Sequence, residues 1–141
     1  MAKANINGLE IEYELLGTPS GPPIAITPGG RFSKQAPGVP ELGKALVDLG
    51  WRVLLWDRPN CGGSQISFDA ESESEMQGKA LTGLIRHLNL GPTTVAGGSG
   101  GARVTLIAAS RDPEIISNVV VWWVSGGTLG LMQLGAVYCI R

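Results

Sequence analysis

Five consecutive small residues, Gly97-Gly98-Ser99-Gly100-Gly101, carry the strongest chemical signal in this chain. They contain the pattern G-x-S-x-G, with Gly97, Ser99 and Gly101 at its fixed positions. A serine hydroxyl is a weak nucleophile unless it is exposed, lies beside a general base, and faces donors for the oxyanion that forms on the attacked carbonyl. A sharp turn from a strand into a helix supplies the first and third of these. Small flanking residues let the turn pack tightly and push the hydroxyl outward, and the Gly100 N–H then sits at the mouth of a helix, where the dipole favours developing negative charge. The chemistry implied is acyl transfer. A plain close-packed turn is the structural alternative. A phosphate-binding loop fits less well, because no lysine stands in G-x-x-x-x-G-K-[ST] spacing and the stretch lies too late in the chain for a dinucleotide fingerprint.

Such a turn needs a strand before it and a helix after it, and the flanking residues provide both. Thr93-Thr94-Val95-Ala96 reads as the strand, and Val104, Leu106, Ile107 and Ala108 read as the helix, which Pro113 helps to close. Further elements precede them. Residues 6–15 alternate polar and apolar around Asn7-Gly8, the mark of a β-hairpin. Ile24-Ala25-Ile26-Thr27 is a short buried strand that runs into Pro28-Gly29-Gly30. Leu42, Ala45, Leu46 and Leu49 fall at helical spacing and stop at Gly50, and the strand Trp51–Trp56 follows. After a loop from Asp57 to Ser64, the acidic stretch at Ser72 to Glu75 opens a helix that runs to about His87. Val119 to Val124 has the continuous β-branched and aromatic character of a strand buried on both faces. Strands alternating with helices predict an α/β fold with an open, mostly parallel, doubly wound sheet.

In this order, a strand ending in Thr27-Pro28-Gly29-Gly30-Arg31, a strand ending in Asp57-Arg58-Pro59-Asn60-Cys61-Gly62-Gly63-Ser64, and the Gly-Gly-Ser-Gly-Gly turn, the chain resembles the first half of the α/β-hydrolase family, from about Ile6 to Val124. The resemblance implies a sheet truncated after about the sixth strand, with Ser99 as the catalytic nucleophile and Gly97, Gly98 and Gly101 as elbow glycines. It also implies that Gly30 donates the second oxyanion N–H beside Gly100. Pro28 stands where the family carries a histidine. Asn60 replaces the first glycine of the family's D-x-x-G-x-G-x-S loop, a mild change because asparagine tolerates positive φ. The family also includes carbon–carbon bond hydrolases, and dehalogenases and epoxide hydrolases that use aspartate at the elbow. Ser99 therefore favours a small-molecule ester or related carbonyl substrate. Arg31 is either a ligand for a substrate carboxylate or an ion-paired structural residue, and Arg103 packs along its helix on the bland reading.

A complete member continues with a lid, two more strand and helix units, an acid and a histidine. Here no aspartate or glutamate follows Glu114, and the one histidine, His87, precedes Ser99 and reads as a solvated helix-end residue. The expectation is a nucleophile-bearing part, residues 1–127, incomplete as a single chain, followed by an apolar tail, 128–141, that begins a lid or serves oligomerisation. An apolar sixth-strand edge and this tail predict a homo-oligomer or a complementing chain. The alternative is a catalytically inactive hydrolase-fold protein that acts in binding or assembly.

Bulk composition narrows the rest. A chain of 141 residues, 43% hydrophobic, is one domain's worth of material, and its 21 glycines belong in turns and close approaches rather than in a helical bundle. Eleven basic against twelve acidic residues give no field that favours nucleic acid or anionic membranes. Cys61 and Cys139 lack metal-type or C-x-x-C spacing and read as reduced thiols, so neither a metal nor a cofactor is expected. The N-terminus lacks the apolar core of a signal peptide, and no apolar run spans a membrane, which makes a cytoplasmic location the default.

Overall fold

The computed structural model describes residues 1–124. Asn7 and Gly8, both at positive φ, turn β1 (Ala2–Ile6) into β2 (Leu9–Leu16) as an antiparallel hairpin. Then follow β3 (Pro23–Thr27), α1 (Val39–Asp48), β4 (Arg52–Trp56), α2 (Glu73–His87), β5 (Thr93–Gly98), α3 (Gly100–Arg111) and β6 (Ile116–Trp122). The sheet order is β1-β2-β4-β3-β5-β6; β2 meets β4 antiparallel, and β4, β3, β5 and β6 run parallel. This is the open, mostly parallel sheet that the alternation of elements predicts.

The helix ends follow from local chemistry. Pro40 lies in the first turn of α1, where its missing N–H costs nothing, and the Gly38 N–H donates to Glu41 Oε2 at 2.9 Å. Gly50, at φ 90°, ends the helix region and lets Trp51 N–H reach back to Leu46 O. Ser72 caps α2 by accepting from the Glu75 N–H, with Glu73 and Glu75 in the first turn and Arg86 and His87 in the last, as the helix dipole favours.

The core lies on both sides of the sheet because successive side chains of a strand point to opposite faces. On β4, Leu54 and Trp56 join Ile11, Leu81, Leu84, Val95 and Val104 under α2 and α3, while Val53 and Leu55 join Ile24, Ile26 and Ala96 under α1. That two-sided burial explains why β4 reads as an unbroken apolar run.

One expectation needs correction. The apolar stretch near residue 120 is a strand, but it begins at Ile116 and is not buried on both faces: Val119, Val120 and Trp122 are all exposed. Among the described residues β6 pairs only with β5, so it forms the sheet's edge, and its β-branched character does not report burial. The expected tail, 128–141, and Cys139 lie outside the described residues.

Candidate active site

Three loops leave the carboxyl ends of neighbouring parallel strands and meet at one place: residues 28–34 after β3, 57–64 after β4, and the turn at Ser99 after β5. In open α/β sheets this edge is where ligands bind.

Ser99 sits between β5 and α3 at φ 53°, ψ −119°, a conformation unusual for a residue with a side chain. It is held there by sterics and by two backbone hydrogen bonds: its N–H donates to Trp122 O at 3.1 Å, and its carbonyl accepts from the Ala102 N–H at 3.1 Å. The glycines around it are required by close approach. A methyl group on Gly101 would lie 2.2 Å from Thr27 O, and one on Gly97 would lie 2.5 Å from Gly101 O. One on Gly98 would strike Trp122 Nε1 at 2.1 Å. The serine itself is exposed, although all of β5 before it is buried.

Gly100 opens α3, so its N–H belongs to the first-turn amides that have no partner within a helix. A methyl group placed on Gly100 would lie 3.6 Å from the Gly30 nitrogen and 3.7 Å from Arg58 Nη1. The Gly30 nitrogen therefore lies close to Gly100, the residue after Ser99. Neither glycine amide is among the N–H groups that donate to backbone carbonyls in the turns and loops of the described residues.

The loop carrying Gly30 is fastened from below by Arg58, which is 4% exposed. Its Nη2 donates to Gly29 O at 3.1 Å and Gly30 O at 2.6 Å, fixing the direction of the peptide units around the Gly30 amide. Burial pushes the Arg58 pKa down from its ordinary value. Lys34, 1% exposed, ties the same loop to the next one. Its N–H donates to Asp57 Oδ1 at 2.6 Å, and its Nζ donates to Asp57 Oδ2 at 2.8 Å and Glu12 Oε1 at 2.5 Å. Burial alone would lower the ammonium pKa, but hydrogen bonds to the two carboxylates and their charge outweigh it and hold the pKa above the ordinary value. Asp57 also accepts from Gly63 N–H, and its own carbonyl accepts from Ser64 Oγ, so the Asp and Ser of the loop pattern act as its internal staples. Asn60 adopts φ 70° and bonds Ser67 and Glu73.

Ser99 opens onto a cleft of about 410 Å³ that runs between the residue 28–39 segment and the end of β6, lined chiefly by apolar side chains and glycine backbone. A larger groove of about 1070 Å³ lies between the β1–β2 turn, α2 and the end of α3. It contains none of the elbow residues, whereas the smaller cleft adjoins Ser99.

Residues 29–122 match the alpha/beta hydrolase fold family. The chain belongs to the α/β hydrolase family. It is 32% identical over 135 residues to the sn-1-specific diacylglycerol lipase ABHD11 of Mus musculus, a match that covers 94% of this chain and 43% of that protein. It is 34% identical over 85 residues to the 2-hydroxy-6-oxononadienedioate/2-hydroxy-6-oxononatrienedioate hydrolase of Cupriavidus pinatubonensis, covering 60% of this chain and 29% of the relative. Among solved structures, Cfl2 from Burkholderia cenocepacia shares the fold at a TM-score of 0.76 and 19% identity, over 87% of this chain and 40% of that one. This α/β hydrolase chain thus spans less than half the length of the curated relatives it matches here.

The structure places Ser99, Gly30 and Gly98 on the cleft, with Gly100 adjoining Gly30 and with Gly97 and Gly101 packed against each other behind the turn. It places Arg31 in an exposed, two-pronged ion pair with Glu73, whose carboxyl the Arg31 guanidinium holds below the ordinary range with help from Asn60. His87 is exposed in the last turn of α2. Because α2 returns from the carboxyl edge of β4 to the start of β5, that turn lies at the opposite edge of the sheet from Ser99. Arg103 is half-buried on α3. Sequence reasoning missed Lys34 and Arg58. The only signal for them is position: each is a cation in, or next to, a glycine- and proline-rich loop that follows a buried strand.

Proposed function

We propose that this chain is the nucleophile-bearing part of a serine hydrolase, in which Ser99 attacks an ester or related carbonyl and the Gly30 and Gly100 amides hold the oxyanion. The observation that carries the reading is the positive-φ, exposed Ser99 at the first turn of α3, facing a cleft beside two neighbouring glycine amides. The first turn of a helix is suited to an anion, and amides fixed before the reaction cost no reorganisation when charge develops. The names of the relatives, a diacylglycerol lipase and a dioate hydrolase, support hydrolysis at a carbonyl.

The proton acceptor in this scheme is a histidine outside these 141 residues, because His87 sits at the wrong edge of the sheet. Without an imidazole the serine retains only the part of catalysis that the oxyanion site and binding provide. Free imidazole therefore serves as a test. A fluorophosphonate probe is added to the chain with and without imidazole, and labelled peptides are mapped. The expected result is labelling at Ser99 that imidazole accelerates and that Ser99→Ala abolishes. Labelling that persists in Ser99→Ala, or none with imidazole present, overturns the proposal.

A further inference from the structure

The cleft beside Ser99 has a wall chemistry that selects among carbonyl compounds. Phe32, Val39 and Leu42 form one side, and Trp122 and Trp123 the other. No charged side chain lines it among the described residues. Among cations near its loops, Arg31 is paired with Glu73 and Lys34 with Asp57 and Glu12, while Arg58 holds the Gly29 and Gly30 carbonyls through its Nη2 behind the turn rather than on the cleft wall. Several wall residues are open to solvent, with Phe32 65% and Trp123 84% exposed, so apolar surface is available for a ligand to cover.

A ligand entering this cleft gains by burying hydrocarbon. A carboxylate at the far end of such a ligand loses hydration and meets no cation among the described wall residues, which is costly. The volume stands at the small end of ligand-sized cavities, roughly 300–1,000 Å³. We infer that the cleft is an acyl-binding site that accepts an uncharged aliphatic acyl group of moderate length and rejects an acyl group with a carboxylate at its far end. This rests on the proposed reading of Ser99 only for which end of the ligand faces the serine; the selection itself is a property of the walls.

Two esters of equal chain length isolate that property: methyl octanoate, and monomethyl suberate, which differs by a distal carboxylate. Binding to Ser99→Ala is followed by tryptophan fluorescence, since Trp122 and Trp123 line the cleft while Trp56 is buried. The expected result is at least about tenfold tighter binding of methyl octanoate, as a carboxylate left without a partner costs well over the 1.4 kcal/mol that tenfold represents. Leu42→Arg, a change on an exposed helix position, should narrow or reverse the preference by supplying a cation. Equal affinities, tighter binding of the suberate ester, or no response to either ester overturns the inference. Selective binding without fluorophosphonate labelling of Ser99 would sink the hydrolase proposal and leave the acyl site standing, while labelling without selectivity would do the reverse.

Discussion

Arg58 shows how a residue that does not face the cleft can govern what happens there. Its guanidinium donates to both the Gly29 and Gly30 carbonyls, the former also accepting from the Phe32 N–H, and the Gly29 carbonyl belongs to the peptide unit that carries the Gly30 N–H. Its role in the proposed reaction is positioning. Removing an oxyanion donor outright costs about 10²–10³ in rate, so a misdirected donor should cost ~10-fold or more. Arg58→Met is expected to lower the maximal rate of fluorophosphonate labelling at Ser99 by that amount, with the concentration of probe at half-saturation little changed. Arg58→Lys, which keeps the charge but not the two-pronged reach, should fall between. Thermal melts of both variants separate this from simple loss of fold: a lowered Tm with an unchanged maximal rate would show that Arg58 serves stability alone.

At the scale of elements, the elbow is a packing device before it is a chemical one. Helix α3 approaches the end of β3 so closely that Gly101 faces the Thr27 and Pro28 carbonyls directly, and backbone atoms there cannot swing aside as a side chain would. Gly101→Ala should therefore destabilise the fold by ~1–3 kcal/mol, read as a lower urea midpoint with an unchanged slope. A midpoint equal to that of the parent would mean that α3 can slide outward, and the close approach would not be what holds the turn. Much of this architecture was legible in the sequence. Asn7-Gly8 and Gly50 mark turns because few other residues adopt positive φ, the glycines of the 97–101 run mark a close approach of backbones, and the alternation of β-branched and helical stretches follows from side-chain periodicity. Two kinds of feature were not legible. Val119–Val124 reads as doubly buried because apolar composition reports what a strand can bury, not what covers it. Lys34 and Arg58 are not legible because a single cationic side chain gives no sign that folding will surround it with carboxylates or carbonyls drawn from segments more than twenty residues away.

On the scale of the whole molecule, the two edges of the sheet are managed differently. At one edge β1 is five residues long and carries exposed Lys3 and Asn5, features that discourage another strand from pairing. At the other, β6 is seven residues long, with Val120 50% exposed and Trp122 beside it, and among the described residues no strand lies on its far side. An apolar, unpaired edge next to the cleft lowers its free energy by pairing with another chain. We therefore expect the 141-residue chain to self-associate at micromolar concentration through β6, with sedimentation velocity as the measurement. Val120→Lys should shift the population toward monomer, since a charge at this edge would be buried by pairing, whereas Lys3→Val at the opposite edge should add association rather than relieve it. A well-folded monomer for the parent chain at these concentrations would overturn this expectation and show that the exposed valines are covered within the chain itself.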